Sequence, residues 1–224
     1  MKILKTLYQN YWMRLKKMIE SKYSFKLLFL SKIFFILFIF GFNPFAGDAK
    51  TGSSLIVLGK DNAPVKIKIF SSHTCPHCAN FHTKIVPQIE KNYISSGKVQ
   101  LIFIDFPLDE AALNASKILH CLDAKKQIKF LDYIYEKQSS WTSGSDIKEI
   151  NKNLEQIVKT FDITSEKFEL CLSDKYNEDY ILKSRIENQK KYSISATPTI
   201  VINEKKFKDL LSFENLKKKI DKLI

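Results

Sequence analysis

Cys75 and Cys78 enclose Pro76 and His77, and the stretch Thr74-Cys75-Pro76-His77-Cys78 directly follows the apolar run 65–70. Two cysteines two residues apart, where a strand hands over to a helix, form the arrangement of a thiol–disulfide exchange site. Proline fits the first helical turn because no intrahelical bond uses its missing N–H and its φ is already helical. Cys75 then sits at the helix N-terminus, where unpaired amides and the positive end of the dipole stabilise a thiolate. Cys78 falls one turn on along the same face, within reach of a mixed disulfide at Cys75. Pro76 and His77 are the tuning residues. His77 can donate to the thiolate or add charge beside it, which favours the dithiol and makes the disulfide more oxidising. A zinc site is the rival use of such a pair, but structural zinc needs four ligands. The remaining cysteines, Cys121 and Cys171, stand singly and far apart, so no metal is expected.

The elements that must position this pair follow from hydrophobic periodicity. Strands are expected at 55–58, 65–70 and 98–106, with the helix over 75–93 between the last two and kinked at Pro87. Strand, helix and strand in this order give a βαβ unit in a mostly parallel sheet. From 109 to 192 the β signal disappears. Helical patterns occupy 110–124, 126–138, 147–161, 165–172 and 179–192, with an N-cap signal at Thr164. Sheet character returns at 199–202, followed by a turn at 203–205, a short strand at 206–207 and an amphipathic helix over 212–224. The chain is thus of the α/β class with a helical block inserted, divided at 50–107, 108–192 and 193–224. Ser195-Ala196-Thr197-Pro198-Thr199 leads into the late strand, where Pro198 is either an ordinary trans proline at a strand start or, as the fold context favours, follows a cis Thr197–Pro198 peptide that makes a sharp turn.

Residues 1–49 read as an address. A basic lead precedes the apolar run 33–42, and the small residues Gly47 and Ala49 end it, as in a secretory signal peptide. Retention as a membrane anchor through residues 27–42 is the alternative, with the positive side cytoplasmic. Either way the redox domain is exported. The net charge of +12 is shared equally: residues 1–49 hold 8 Lys and Arg against 2 acidic residues, and the rest of the excess is spread along helices. No base-reading motif accompanies it, so nucleic acid is not an expected partner.

In an exported chain, Cys121 and Cys171 are most simply a structural disulfide between two insert helices, with a second redox relay as the alternative. His73 is read either as a neighbour of the thiolate or as a solvated loop residue, His82 and His120 as helix-surface residues, and Trp141 as a packing residue.

Ala63-Pro64-Val65, the Cys-Pro-His-Cys motif, the helical insert and Ala196-Thr197-Pro198-Thr199 together resemble the DsbA-like thiol:disulfide oxidoreductases, over essentially all of 55–224. The resemblance implies a thioredoxin-like fold with an inserted all-helical domain. It implies a periplasmic enzyme, without cofactor, that donates its disulfide to unfolded exported proteins with free cysteines. Cys75 would take the mixed disulfide and Cys78 resolve it. Thr197 and Pro198 would pack beside the sulfurs and pair with substrate backbone. A membrane quinone-linked partner would reoxidise the enzyme. Two departures stand out: Ile69 occupies the position where many relatives carry an acid that moves protons to the buried sulfur, and Thr197 replaces the more common Val. Disulfide isomerase or reductase activity on the same fold remains the nearest alternative, and a metal-binding or chaperone module the more distant one. The short spacing between leader and first strand leaves no room for a dimerisation domain, so a monomer is expected.

Overall fold

The computed structural model describes residues 13, 14, 16, 17 and 55–224, and the chain divides into two compact units, Met1–Lys50 and Thr51–Ile224. The four described residues of the first unit are helical and exposed. The rest of the leader at 1–49, with its apolar run, lies outside the described residues, as does the linker 51–54. Among the described residues no helix is long and apolar enough to cross a membrane.

The second unit is built on a sheet of β1 (Ile56–Leu58), β2 (Val65–Ser71), β3 (Val99–Asp105), β4 (Thr199–Ile202) and β5 (Lys205–Lys206) in the order β1-β3-β2-β4-β5. The central strands are the most apolar: Val65, Ile67, Ile69, Val99, Leu101, Ile200 and Val201 are all buried. The expectation of a mostly parallel sheet is corrected. Only β2 and β3 are parallel, with Ile67 opposite Leu101 and Ser71 opposite Asp105, and the β1–β3, β2–β4 and β4–β5 pairs are antiparallel. A helical crossover is needed to bring β3 back parallel to β2, whereas β4 reaches β5 through Asn203 and Glu204, both at positive φ, the two-residue turn whose twist suits an antiparallel hairpin. Gly59 sits at φ +109°, and a Cβ there would lie 2.6 Å from the Val99 carbonyl oxygen, so only glycine lets the β1–β2 turn pass β3.

The crossover, α1, is one helical run of changing pitch: Pro76–Asn80, a π turn Phe81–Ile85, Val86–Ile89 and a second π turn Glu90–Ile94. The irregularity expected at Pro87 is present as the first π turn. Proline offers no N–H and crowds the carbonyl four residues back, so the ladder slips by one residue just ahead of it and Val86 N–H reaches Phe81 O.

The insert comprises α2 (Glu110–Cys121), α3 (Ala124–Glu136), a short α4 (Gln138–Trp141), α5 (Ile147–Lys159), α6 (Ser165–Leu172) and α7 (Lys175–Tyr192). Asp109, Asp146, Thr164 and Asp174 cap α2, α5, α6 and α7 through their side chains, and each such cap is worth about 1 kcal/mol. Asp174 explains why α7 begins earlier than periodicity suggested. The closing helix α8 (Phe213–Asp221) starts on the Ser212 cap. Trp141 is 1% exposed and donates Nε1–H to Ile134 O at 2.9 Å, a packing residue with its one polar atom satisfied.

Cys121 at the end of α2 and Cys171 in α6 are joined by a disulfide with Cα atoms 5.9 Å apart and a sequence separation of 50. Cys171 is buried among the core residues. Closing a loop of that length removes unfolded-state entropy worth about 4 kcal/mol in the chain model. The double variant C121A/C171A should therefore lose about 2–5 kcal/mol in denaturant unfolding, while dithiol exchange at Cys75 and Cys78 continues at the wild-type rate. A matching loss of exchange would assign the bond to a redox relay instead.

Candidate active site

β2 delivers the chain to the loop Ser72–Thr74, and Cys75 follows as the N-cap of α1 in an extended conformation (φ −78°, ψ 119°), with Pro76 in the first turn. Cys75 is half-buried, whereas Cys78 is 1% exposed, and both are free thiols. Across from them the Thr197–Pro198 peptide is cis, and the Thr197 carbonyl oxygen lies 3.4 Å from Cys75 Sγ. The Thr197 hydroxyl is buried with no hydrogen-bond partner of its own and faces both sulfurs, favouring their thiolate forms.

The two thiols are electrostatically unlike. Burial works against ionisation of Cys75, but Thr197, the Cys78 amide and thiol and the His77 amide outweigh it, and its pKa falls below 9.0. Burial dominates at Cys78. With the charge of Cys75 beside it, and against the help of Thr197 and the Ser72 amide, the thiol is pushed up to about 12. His77 acts here through its backbone N–H; its ring is exposed. The geometry therefore offers one accessible, stabilised thiolate and one buried thiol that gives up its proton reluctantly.

The insert holds the loop that carries Cys75. Gln138 Nε2, from α4, donates to the His73 and Cys75 carbonyl oxygens at 2.7 and 3.0 Å. Asp109 caps α2 through Oδ1 and accepts from the Thr74 hydroxyl through Oδ2 at 2.6 Å. The loop carrying Pro198 is fastened on its own side. In the β4–β5 turn Glu204 accepts from Lys68, from Lys191 at 2.8 Å and from the Tyr192 hydroxyl at 2.5 Å, while Lys206 donates to Ser193 O at 2.7 Å.

Beneath the pair lies a polar cluster that the sequence did not reveal. Asp105, at the end of β3, accepts from His73 Nε2 at 3.0 Å and Ser116 Oγ at 2.7 Å on one oxygen, and from His120 Nε2 at 2.7 Å on the other. All four residues are buried. The reading of His120 as a helix-surface residue is thus corrected: α2 is rich in Ala and packed on nearly every side, so its polar residues are enclosed. His82 is also buried, bonded to Asp132 at 2.8 Å and stacked on Tyr135 with ring centroids 4.8 Å apart. His73 is not solvated. Burial opposes the Asp105 charge, yet the charge and hydrogen bond of His120, joined by His73, hold the carboxyl far below its ordinary range. Burial likewise would lower the His120 pKa, and Asp105 reverses it, so the imidazole is raised above 6.5. Ile69 is buried on β2 between Phe103 and Ile200. No acid stands at that position; Asp105 lies on the neighbouring strand, in register with Ser71. The signal available was Asp105 itself, a lone carboxylate closing an apolar strand. Among the described residues no group of three or more His, Cys, Asp or Glu side chains is placed to hold a metal ion.

The family model described as thioredoxin matches residues 51–222. The chain belongs to the thioredoxin family. Disulfide bond formation protein D of Bacillus subtilis is 29% identical over 187 residues, 78% of this chain and 81% of the relative. The crystal structure of alpha-DsbA1 from Wolbachia pipientis is 28% identical with a TM-score of 0.68, covering 76% of this chain and 90% of that one. Oxidised BdbD from Bacillus subtilis is 27% identical with a TM-score of 0.60, covering 75% and 91%. The fold is thioredoxin-like with a helical insertion, and the protein is a DsbA-like thiol:disulfide oxidoreductase.

Replacing Thr197 by Val removes the hydroxyl that favours both thiolates. The Cys75 pKa should rise, read as a shift of the thiolate absorbance titration to higher pH, with folding retained. Replacing Asp105 by Asn should cost about 3–5 kcal/mol, the loss expected when a buried pair is broken from one side. The sign of its pH dependence follows from the two shifts. A lowered Asp105 contributes stability above its unfolded pKa of about 3.8, and a raised His120 contributes below about 6.5. The stability gap between wild type and D105N should accordingly be widest between those values and narrow on either side in urea titrations.

Proposed function

We propose that the protein is an exported dithiol oxidase that passes the Cys75–Cys78 disulfide to unfolded client proteins bearing free cysteines. The observation that carries this reading is the inequality of the two sulfurs. Cys75 is reachable and its thiolate is stabilised by helix amides and Thr197, so it is the better leaving group and the sulfur a client meets. A client thiolate attacks Cys75 Sγ, the Cys75–Cys78 bond breaks, and its electron pair leaves on Cys78, which takes up a proton. A second client thiolate attacks the client sulfur of the mixed disulfide and releases Cys75 as a thiolate. The client is oxidised and the enzyme is left as the dithiol.

Stabilising the Cys75 thiolate stabilises the reduced enzyme, which makes its disulfide a stronger oxidant. Thr197 and the cis Pro198 form the wall against which an extended client segment would lie, next to the exposed Ser195 and Ala196. The basic and apolar leader at 1–49 supports export to an oxidising compartment such as the periplasm, and a membrane quinone-linked partner would restore the disulfide. The full chain equilibrated with glutathione should give a reduction potential well above thioredoxin's about −270 mV, and C75S should abolish oxidation of a reduced client. A thioredoxin-like potential would turn the reading to a reductase or isomerase, and retained activity in C75S would overturn the mechanism.

A further inference from the structure

A cavity of about 220 Å³ lies between α7 and the sheet, and neither Cys75, Cys78, Thr197 nor Pro198 forms part of its wall. Ile102 and Ile104 of β3 and Ile181 of α7 make its walls apolar, and the exposed Leu55 stands at its mouth. Interiors are packed to the density of organic crystals, so a void of this size forfeits many contacts unless something occupies it. An apolar cavity of about 150 Å³ accepts benzene. This one therefore has room for a six-membered ring, or a chain of about six carbons, together with a polar head.

The polar groups of the lining are mismatched in one direction. Asp105 is the carboxylate among them, and its two oxygens are already met by His73, Ser116 and His120. His120 is 5% exposed, and its Nε2 gives its hydrogen to Asp105 at 2.7 Å, while Nδ1 is buried with no partner. The carboxylate beside the ring favours the imidazolium, in which Nδ1 also carries a hydrogen. That donor has no acceptor in the protein. On α7, Asn188 Nδ2 donates to Ser184 O at 2.8 Å and Ser184 Oγ at 3.2 Å, so the serine hydroxyl keeps its own hydrogen to give. Ile181, Ser184 and Asn188 are spaced three and four apart and share one face of the helix. Lys68 adds charge. Its ammonium bonds Tyr192 Oη at 3.1 Å and Glu204, but Glu204 is shared with Lys191, so one carboxylate answers two cations. Lys68 stands three residues along β2 from Ser71, the residue opposite Asp105. About 10 Å of strand thus separates it from the imidazole end, and it acts there through its field.

We propose that this cavity is a binding site for a small apolar monocarboxylate, an aromatic or short-chain acid whose carboxylate accepts from His120 Nδ1–H and the Ser184 hydroxyl while its carbon skeleton lies on Ile102, Ile104 and Ile181. Each feature of the lining selects for part of that ligand. The orphaned buried donor carries a desolvation cost that only a bound acceptor removes. The surplus positive charge of Lys68 and Lys191 over Glu204 favours an acceptor that is anionic over one that is neutral. The apolar walls turn away a fully hydrated inorganic anion, which would lose its water to isoleucine side chains without return. A site of few polar groups set in an apolar cavity is the usual build of a small-molecule pocket.

The test is titration of the full-length protein with sodium benzoate, and with benzyl alcohol as the neutral counterpart, followed by NMR of the amides and imidazoles. Benzoate should move the α7 amides from Ile181 to Asn188 and the His120 imidazole saturably, with a dissociation constant on the order of 1 mM. Benzyl alcohol should bind about tenfold more weakly, the factor expected when a charge-assisted hydrogen bond is lost. Replacing Ser184 by Leu fills the cavity from α7 and removes one donor, and S184L should lose about tenfold or more in benzoate affinity. No saturable shift, shifts confined to other parts of the protein, equal affinity for benzyl alcohol, or undiminished binding by S184L would each overturn the proposal. Should S184L not fold, contacts in the wild type decide. Nuclear Overhauser effects should connect the benzoate ring protons to the methyl groups of Ile102, Ile104 and Ile181, and their absence in the saturated complex would overturn it. The readout is binding alone, so the result stands whichever way Cys75 and Cys78 pass electrons.

Discussion

The carboxylate of Asp105 is a charge withdrawn from water, and an ion so placed costs several kcal/mol unless its lone pairs are met. It is met by three donors, His73, Ser116 and His120, drawn from the loop before Cys75 and from α2. Satisfying one buried charge thus fixes three separate pieces of chain to each other at the end of β3. The constraint is stringent because all four side chains are buried: a donor lost from the cluster leaves part of the charge without a protein partner. The active-site loop inherits that rigidity, since His73 is two residues from Cys75.

The insert then appears less as an appendage than as the other half of the loop's support. The sheet alone leaves the loop carbonyls after Ser71 without ladder partners. Gln138 meets two of them with one amide group, and Asp109 meets Thr74 while capping its own helix. Helices from one stretch of sequence therefore position a cysteine from another. The disulfide between α2 and α6 closes the block that contains Ser116 and His120, tying that half of the cluster to the rest of the insert.

Much of this was legible in the chain. The Cys-x-x-Cys spacing, the proline after the first cysteine and the strand before it gave the site, because local rules of helix starts dictate that geometry. The strands at 65–70 and 199–202 and the helical character of the insert followed from period and composition. What stayed hidden was long-range. Asp105, His73 and His120 are separated by 32 and 15 residues, and no periodicity marks three polar residues that meet only after folding. Gln138 looked like a helix-end residue, and its role depends on a loop 63 residues away. The strand directions were misjudged because a period-two pattern records burial, not orientation; only the tight turn at Asn203 and Glu204 carried that information.

The inequality of the two sulfurs comes out of the same arrangement. Cys75 gains its stabilisation from groups that any helix N-terminus offers, plus Thr197. Cys78 loses its ionisation to burial one turn deeper, in the core formed by Phe81, Tyr135 and the sheet. A tighter core raises the cost of a Cys78 thiolate, and a raised cost makes that sulfur a poor leaving group unless a proton arrives as the bond breaks. Packing that protects the pair from solvent and access to a proton are therefore opposed demands. A chain with Ile69 in its central strand cannot meet the second from β2. Here the groups that serve the Cys78 sulfur directly, the Ser72 amide and Thr197, come from the loop after β2 and the loop before β4, so the core closes over Cys78 while its polar support arrives from two loops.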